Sequence, residues 1–259
     1  MEIRIFVFDI DGTTFDHSIY DVRKLTMEAL RTLKEKGYLL SLSTSRSIAE
    51  MRELKEDFLS LMDAIICLGG AIVDFDGQRK VITFEKDQIE KAISYMDDNG
   101  ITYRYATGDG MSYINRHEEW VEEIFRRLYH MCPILKDYEG EPIAHINYYC
   151  NEDQEYHRQK IEELLPEAIH THLRITTELT PSGVDKGIVL EQLASHYGYT
   201  VENICAFGDG YNDITMLRKA GLSIAMGNAS ADVKEAADDV TDPISEDGLY
   251  KALKKYMFI

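Results

Sequence analysis

Residues 3–16 read IRIFVFDIDGTTFD. The run 3–8 has the continuous apolar, β-branched character of a strand buried on both faces. It then meets two carboxylates, Asp9 and Asp11, one residue apart, before Gly12-Thr13-Thr14. In extended backbone, side chains two apart share a face. Two carboxylates at ~4 Å repel by about 1 kcal/mol in water, and by several times more when partly buried. Read alone, the pair is either a solvated turn or one side of a cation site.

Outward from this stretch, strand and helix alternate. Residues 21–36 place Val22, Leu25, Ala29, Leu30 and Leu33 on one helical face, with Gly37 as the stop. Residues 38–43 predict a second strand, 47–58 a polar-faced helix and 63–68 a third strand ending at Gly69-Gly70. AIVDFDGQRKVITF then predicts a hairpin turning at Asp76-Gly77. Between about 84 and 180 the texture changes: tyrosine and histidine concentrate, helices are predicted at 87–98, 117–130 and 155–164, and strands at 101–105, 111–115, 143–150 and 172–179. From 185 the first texture returns, with a helix at 185–197, a strand at 202–210, a helix at 212–219, a strand at 222–225 and two short terminal helices. The expected fold class is α/β: a doubly wound, Rossmann-like core over 1–83 and 182–259, interrupted by an inserted α+β domain over 84–181.

Composition narrows the function classes. A 259-residue chain, 44% hydrophobic and 29% charged, can bury a core. A net charge of -18 argues against nucleic acid and anionic membranes, which both want a basic patch. Small anionic substrates stay open if a metal reverses the local field. Cys67, Cys132, Cys150 and Cys205 form no C-x-x-C pair and read as free thiols of a reducing compartment. No signal-peptide pattern and no apolar run of ~20 residues are evident, so the expected location is cytoplasmic.

In a doubly wound sheet, ligands bind beyond the carboxyl ends of the strands. The first strand delivers Asp9 and Asp11 there, and the second delivers Thr44-Ser45-Arg46. The strand ending near 207 delivers Asp209, then Asn212 and Asp213, and the helix near 185 starts with Lys186. Singly these read as a turn, a helix cap and a surface lysine. Jointly they bring four carboxylates, hydroxyls and an ammonium to one edge. Asp9, Asp11, Asp209 and Asp213 need a cation there, and oxygen-only ligands with room for water suit Mg²⁺. Thr44, Ser45, Lys186, Asn212 and backbone amides make a site for a tetrahedral oxyanion.

FDIDGTT, LSTSR, PSGVDKG and GDGYNDITML resemble, in order, the four motifs of the haloacid dehalogenase (HAD) superfamily. The inserted span resembles the large cap of its Cof-like, subclass IIB phosphatases. The resemblance implies that Asp9 is the nucleophile and forms an aspartyl-phosphate, and that Asp11 is the general acid and then the base. It implies that Thr44 and Lys186 hold phosphoryl oxygens, with Asn212 contacting phosphate or orienting Lys186. Mg²⁺ is then expected on carboxylates of Asp9 and Asp209 and the carbonyl of Asp11, supported by Asp213. A dehalogenase lacks the acid two residues after the nucleophile, so Asp11 points to an alkoxide leaving group. Two departures stand out: Ser45 replaces the usual glycine of the second motif, and Gly69 replaces a usual asparagine.

Substrate choice is expected in the cap, with Arg46, Arg104, His145 and Asn147 as candidate contacts. His145 and Asn147 share a strand face, and a solvated polar face or a core histidine are the alternatives. Tyr148-Tyr149 reads as packing, and His170 and His172 as a solvated face rather than a metal pair. The expected function is an Mg²⁺-dependent phosphatase acting on a sugar or cofactor phosphate, as a monomer or weak homodimer. A phosphomutase of the phosphomannomutase type and a phospho-acceptor or binding protein are the alternatives. The intact GDGYND segment favours hydrolysis over the mutase, and the inserted span disfavours a receiver.

Overall fold

A computed structural model describes residues 2–173 and 175–259. They divide into two compact units, one of Met1–Thr44, Leu54–Arg79 and Asp185–Ile259, the other of Ser45–Glu53 and Lys80–Val184.

The first unit is built on a sheet with the strand order Asp239–Val240, Leu222–Ala225, Ile204–Gly208, Ile5–Phe8, Leu39–Ser43, Ala64–Cys67, Ile72–Phe75, Gln78–Val81. The first six are parallel to their neighbours, and Ile72–Phe75 is antiparallel to Ala64–Cys67. Ile5–Phe8 has Leu39–Ser43, the next strand of this sheet in sequence, on one side and Ile204–Gly208 on the other. Strand order reverses here, and a doubly wound sheet opens its ligand crevice at such a point. Both faces of Ile5–Phe8 are covered, which its unbroken apolar run anticipates. Ile5 and Val7 pack with Val189, Leu190 and Leu193 of helix Lys186–His196. Phe6 meets Phe258 edge-on, and Phe8 stacks on Phe207.

The hairpin turns at Asp76 and Gly77, both at positive φ (52° and 78°), the combination a type I′ turn demands. Residues 21–36 differ from the single expected helix: Asp21–Val22 pairs with Phe15–Asp16, and the helix runs Lys24–Glu35. Residues 47–58 are also not one helix. A 3-10 turn spans Glu50–Glu53 and one α-turn spans Glu56–Leu59. The cause is Glu50, which is buried rather than solvated. Its carboxylate accepts from Ser47 N at 2.7 Å, while Ser47 Oγ accepts from Glu50 N at 3.2 Å, a capping box that closes the turn.

The second unit carries a six-stranded sheet in the order Ile134–Leu135, Ser112–Ile114, Thr102–Thr107, Ile143–Tyr149, Thr176–Thr180, Ile169–His172, antiparallel except at Ile134–Leu135. The expected strand over 172–179 is two strands; Arg174, between them, lies outside the described residues. Alternation sorts the two faces. Tyr103, Tyr105, Ile146 and Tyr148 pack with Ile89, Ala92, Ile93 and Met96 of helix Lys86–Asp98. On the opposite face Tyr149 packs with Val121 and Phe125 of helix Glu119–Tyr129. Ser45–Glu53, expected with the core, joins this unit because Glu50 pairs with Arg104 and Ser112.

Candidate active site

Asp9 leaves the carboxyl end of Ile5–Phe8, and Asp209 that of Ile204–Gly208. Carboxylate oxygens of Asp9, Asp209 and Asp213 all lie within 4.8 Å of one another. Lys186, the first residue of its helix and 1% exposed, reaches the same place. Its Nζ donates to Asp9 Oδ1 at 2.7 Å and to Asp213 Oδ1 at 2.6 Å. Asp213 Oδ2 accepts from the backbone of Asp209 at 3.0 Å and Gly210 at 2.9 Å, so Asp213 both shapes the loop and anchors the lysine.

The charge balance of this cluster is unfavourable by itself. Burial, and then the charge of Asp213, push the Asp9 carboxyl well above the usual range, with Lys186 opposing. Burial and Asp213 likewise push Asp209 up to about 7, against the Thr13 hydrogen bond and Lys186. For Lys186, burial works to lower the pKa, but Asp213 and Asp9 outweigh it and hold the ammonium charged. Three carboxylates against one ammonium leave negative charge uncompensated. That donor set, oxygen only and partly desolvated, fits a hard divalent cation such as Mg²⁺.

Asp11 stands apart from the three-carboxylate cluster. Its Oδ1 lies 2.8 Å from His17 Nε2. The backbone at Asp11 bridges to Phe15, with Gly12 N donating to Phe15 O at 3.0 Å and Phe15 N to Ile10 O at 2.7 Å. Gly12, at φ +86°, is required here: a Cβ would come within 2.2 Å of Asp209 Oδ2. Thr44 N donates to Ile66 O at 2.9 Å, and Thr44 O accepts from Gly69 N at 3.0 Å, so the second-motif turn is tied to the end of the third strand. Asn212 lies in the 3-10 turn Tyr211–Asp213 between Asp209 and its helix. Ser45 belongs to the second unit, where its Oγ donates to Glu178 at 2.9 Å.

Three residues that sequence reasoning left out hold the cluster. Thr13 Oγ1 donates to Asp209 Oδ1 at 2.8 Å, and Thr14 Oγ1 to the Asp9 carbonyl at 2.9 Å. Asn228 Nδ2 donates to Asp209 Oδ2 at 2.9 Å and to Gly12 O at 3.0 Å, while its Oδ1 accepts from Ile244 N. Asn228 was findable: it follows the strand Leu222–Ala225 at the same sheet edge.

In the second unit the four expected substrate contacts are buried, so the solvated-face alternative is corrected. Arg104 grips Glu50 through Nε at 2.9 Å and Nη2 at 2.6 Å, and its Nη1 donates to Asn147 Oδ1 at 2.9 Å and to His145 Nδ1 at 3.1 Å. A guanidinium only donates, so His145 Nδ1 accepts and its proton belongs on Nε2, which is buried without a hydrogen-bond partner. Burial, and then Arg104, keep this imidazole well below its ordinary pKa and neutral. Arg46 lies 4.8 Å from the centre of the Tyr129 ring. A cavity of about 190 Å³ opens here, with Glu50, Arg104, Asn147 and Glu178 on its polar side and Phe125 and Tyr149 on its apolar side. Of the histidine pair, His172 is exposed and contacts Glu162, while His170 is half-buried against the Leu165 carbonyl.

Comparison with known proteins decides the family, since the profile of the haloacid dehalogenase-like hydrolases matches residues 6–253. The chain belongs to that family. Within it the chain is a phosphomonoester hydrolase of the Cof-like, subclass IIB kind. It is 29% identical to the 5-amino-6-(5-phospho-D-ribitylamino)uracil phosphatase YcsE of Bacillus subtilis (strain 168), over 99% of this chain and 97% of that one. It is 27% identical to the putative phosphatase YkrA of the same organism, over 98% of each chain. Among solved structures, an HAD subclass IIB sugar phosphatase superposes with a TM-score of 0.89 at 26% identity, over 99% of this chain and 100% of that one. Among the described residues, no helix is long and apolar enough to cross a membrane.

Proposed function

We propose that this HAD-like hydrolase removes phosphate from a small phosphorylated metabolite, a sugar or cofactor phosphate, through an aspartyl-phosphate on Asp9. The observation that carries the reading is Lys186 Nζ bridging Asp9 and Asp213 beside Asp209, a buried and electrically unbalanced cluster at the switch point of the sheet. The relatives support the substrate class. One is named for a phosphoribitylamino-uracil, and another, from Escherichia coli (strain K12) at 24% identity over 95% of this chain and 97% of that one, for pyridoxal phosphate.

Mg²⁺ would be held by carboxylates of Asp9 and Asp209 and the carbonyl of Asp11, with Asp213 in support. When bound it supplies positive charge against the phosphoryl oxygens. The chain's own residues do the rest. Asp9 Oδ forms the bond to phosphorus as the ester P–O bond breaks. Asp11 gives its proton to the departing oxygen. It then takes a proton from water as that water attacks phosphorus and the Asp9–phosphorus bond breaks. Lys186 and Thr44, with Ser45 and Asn212, orient and neutralise the phosphoryl oxygens. Arg46, Arg104, His145 and Asn147 are the proposed source of selectivity in the inserted unit. The four free cysteines fit a reducing compartment, and we place the enzyme in the cytoplasm as a monomer or weak homodimer.

Phosphate release from a panel of sugar, nucleotide and cofactor phosphates, with and without Mg²⁺, tests the reading. Mg²⁺-dependent turnover that vanishes in Asp9→Asn is expected. Turnover that survives in Asp9→Asn contradicts it.

A further inference from the structure

The hairpin after Asp11 is fixed more firmly than its two-residue strands require. Asp16, almost fully buried, accepts from Ser18 N at 2.9 Å, Ser18 Oγ at 2.7 Å and Arg23 Nη1 at 2.8 Å, and Arg23 Nε donates onward to Asp247 at 2.8 Å. Burial works to raise the Asp16 pKa, but the Ser18 and Arg23 hydrogen bonds outweigh it and hold the carboxylate ionised. Phe15, 3% exposed, anchors the other end.

This frame holds His17 edge-on against Phe15 and Tyr20, with ring centroids 5.3 and 6.4 Å apart. Both ring nitrogens are shielded from solvent, and Nδ1 has no hydrogen-bond partner. Nε2 stands 2.8 Å from Asp11 Oδ1, at hydrogen-bond distance though off the line of an aligned bond. Catalytic hydrogen bonds are commonly misaligned before substrate arrives and tighten afterwards.

We propose that His17 is the positioning residue of the general acid. It holds one oxygen of Asp11 away from the Asp9–Asp209–Asp213 cluster, so that the other oxygen carries the transferable proton toward the leaving group. A neutral imidazole with its hydrogen on Nε2 serves as well as an imidazolium, so the role does not depend on His17 changing charge. The inference rests on the reading of Asp11 as general acid. It adds a residue from outside the four motifs.

The test compares kcat/KM for an alkyl ester, glucose 6-phosphate or the best sugar phosphate of the panel, with that for p-nitrophenyl phosphate, whose leaving group needs little protonation. His17→Phe keeps the aromatic contacts and removes the donor, and a thermal melt checks that it folds. His17→Gln restores a donor near the position of Nε2. In His17→Phe the alkyl ester is expected to lose about tenfold or more, as a misplaced acid would, and the aryl ester less than about threefold. His17→Gln should recover most of the alkyl activity. Equal losses on both esters, no loss on either, or no recovery in His17→Gln overturns the proposal. Asp11→Asn separates the two claims. If it splits the esters while His17→Phe does not, only the positioning role fails. If it does not split them, the general-acid reading fails and the positioning role falls with it.

Discussion

Lys186 Nζ and Asp9 Oδ1 meet at 2.7 Å where neither side chain is more than 9% exposed. Burying such a pair costs desolvation of both ions, and removing one partner leaves the other charge unpaired. Lys186→Met therefore strands Asp9 and Asp213. The expected loss of stability is about 3–5 kcal/mol at neutral pH. It should shrink as pH falls and the stranded carboxyls take up protons. Urea unfolding of both proteins at pH 7.5 and at about pH 5 measures this. Equal stability of the two at neutral pH contradicts it.

The second prediction concerns pH and metal. Asp209 keeps its proton up to about pH 7 because it is buried beside Asp213. A carboxyl whose pKa is raised on folding stabilises the metal-free protein below the unfolded value of about 3.9. That contribution is lost as pH climbs toward 7. A cation must displace the same proton. Mg²⁺ affinity should thus rise between about pH 5 and pH 7, by about tenfold per unit for each proton displaced, and level off above. Calorimetric titration across that range checks it. A flat profile contradicts displacement of the Asp209 proton by the cation.

Much of the site was legible because its chemistry sits at strand ends, and strand ends are readable from apolar runs. Asp9 and Asp209 follow from that rule, Lys186 from its place at a helix start, the hairpin from its Asp76-Gly77 turn and the insertion from its change of texture. The role of Glu50 was not legible. On a helical wheel it falls on a polar face, yet it turns inward to meet Arg104, 54 residues away. Long-range ion pairs of this kind leave no local periodicity. The helix expected over 47–58 failed for the same reason. His17 was hidden because its direction depends on two-residue strands, too short to show alternation. Asn228 is reachable by the same strand-end rule, since it follows the strand Leu222–Ala225.

The Glu50–Arg104 pair yields a third prediction. Both side chains are 3% exposed or less. Glu50→Gln leaves the guanidinium buried without its carboxylate and should destabilise the protein by about 3–5 kcal/mol, whereas replacing both residues by Met should cost much less. A double-mutant cycle by chemical unfolding reads the coupling. Additive single and double effects would contradict a shared ion pair.

Asn228 supports the fourth. It ties Asp209 to the Gly12 carbonyl, and partners that orient a ligand typically alter metal affinity by about 10–100-fold when removed. Asn228→Ala should raise the Mg²⁺ concentration needed for half-maximal turnover by about tenfold, with a smaller change in kcat at saturating Mg²⁺. An unchanged Mg²⁺ requirement would remove Asn228 from the site.

The central claim is that Asp9 attacks phosphorus. The most direct measurement is an acid quench of enzyme, Mg²⁺ and a substrate of the panel, followed by peptide mass spectrometry. The account predicts one added phosphoryl group on the peptide carrying Asp9, formed and lost at rates consistent with turnover, and absent in Asp9→Asn. Turnover with no phosphoryl group on Asp9 under any quench time, together with activity surviving in Asp9→Asn, would contradict it.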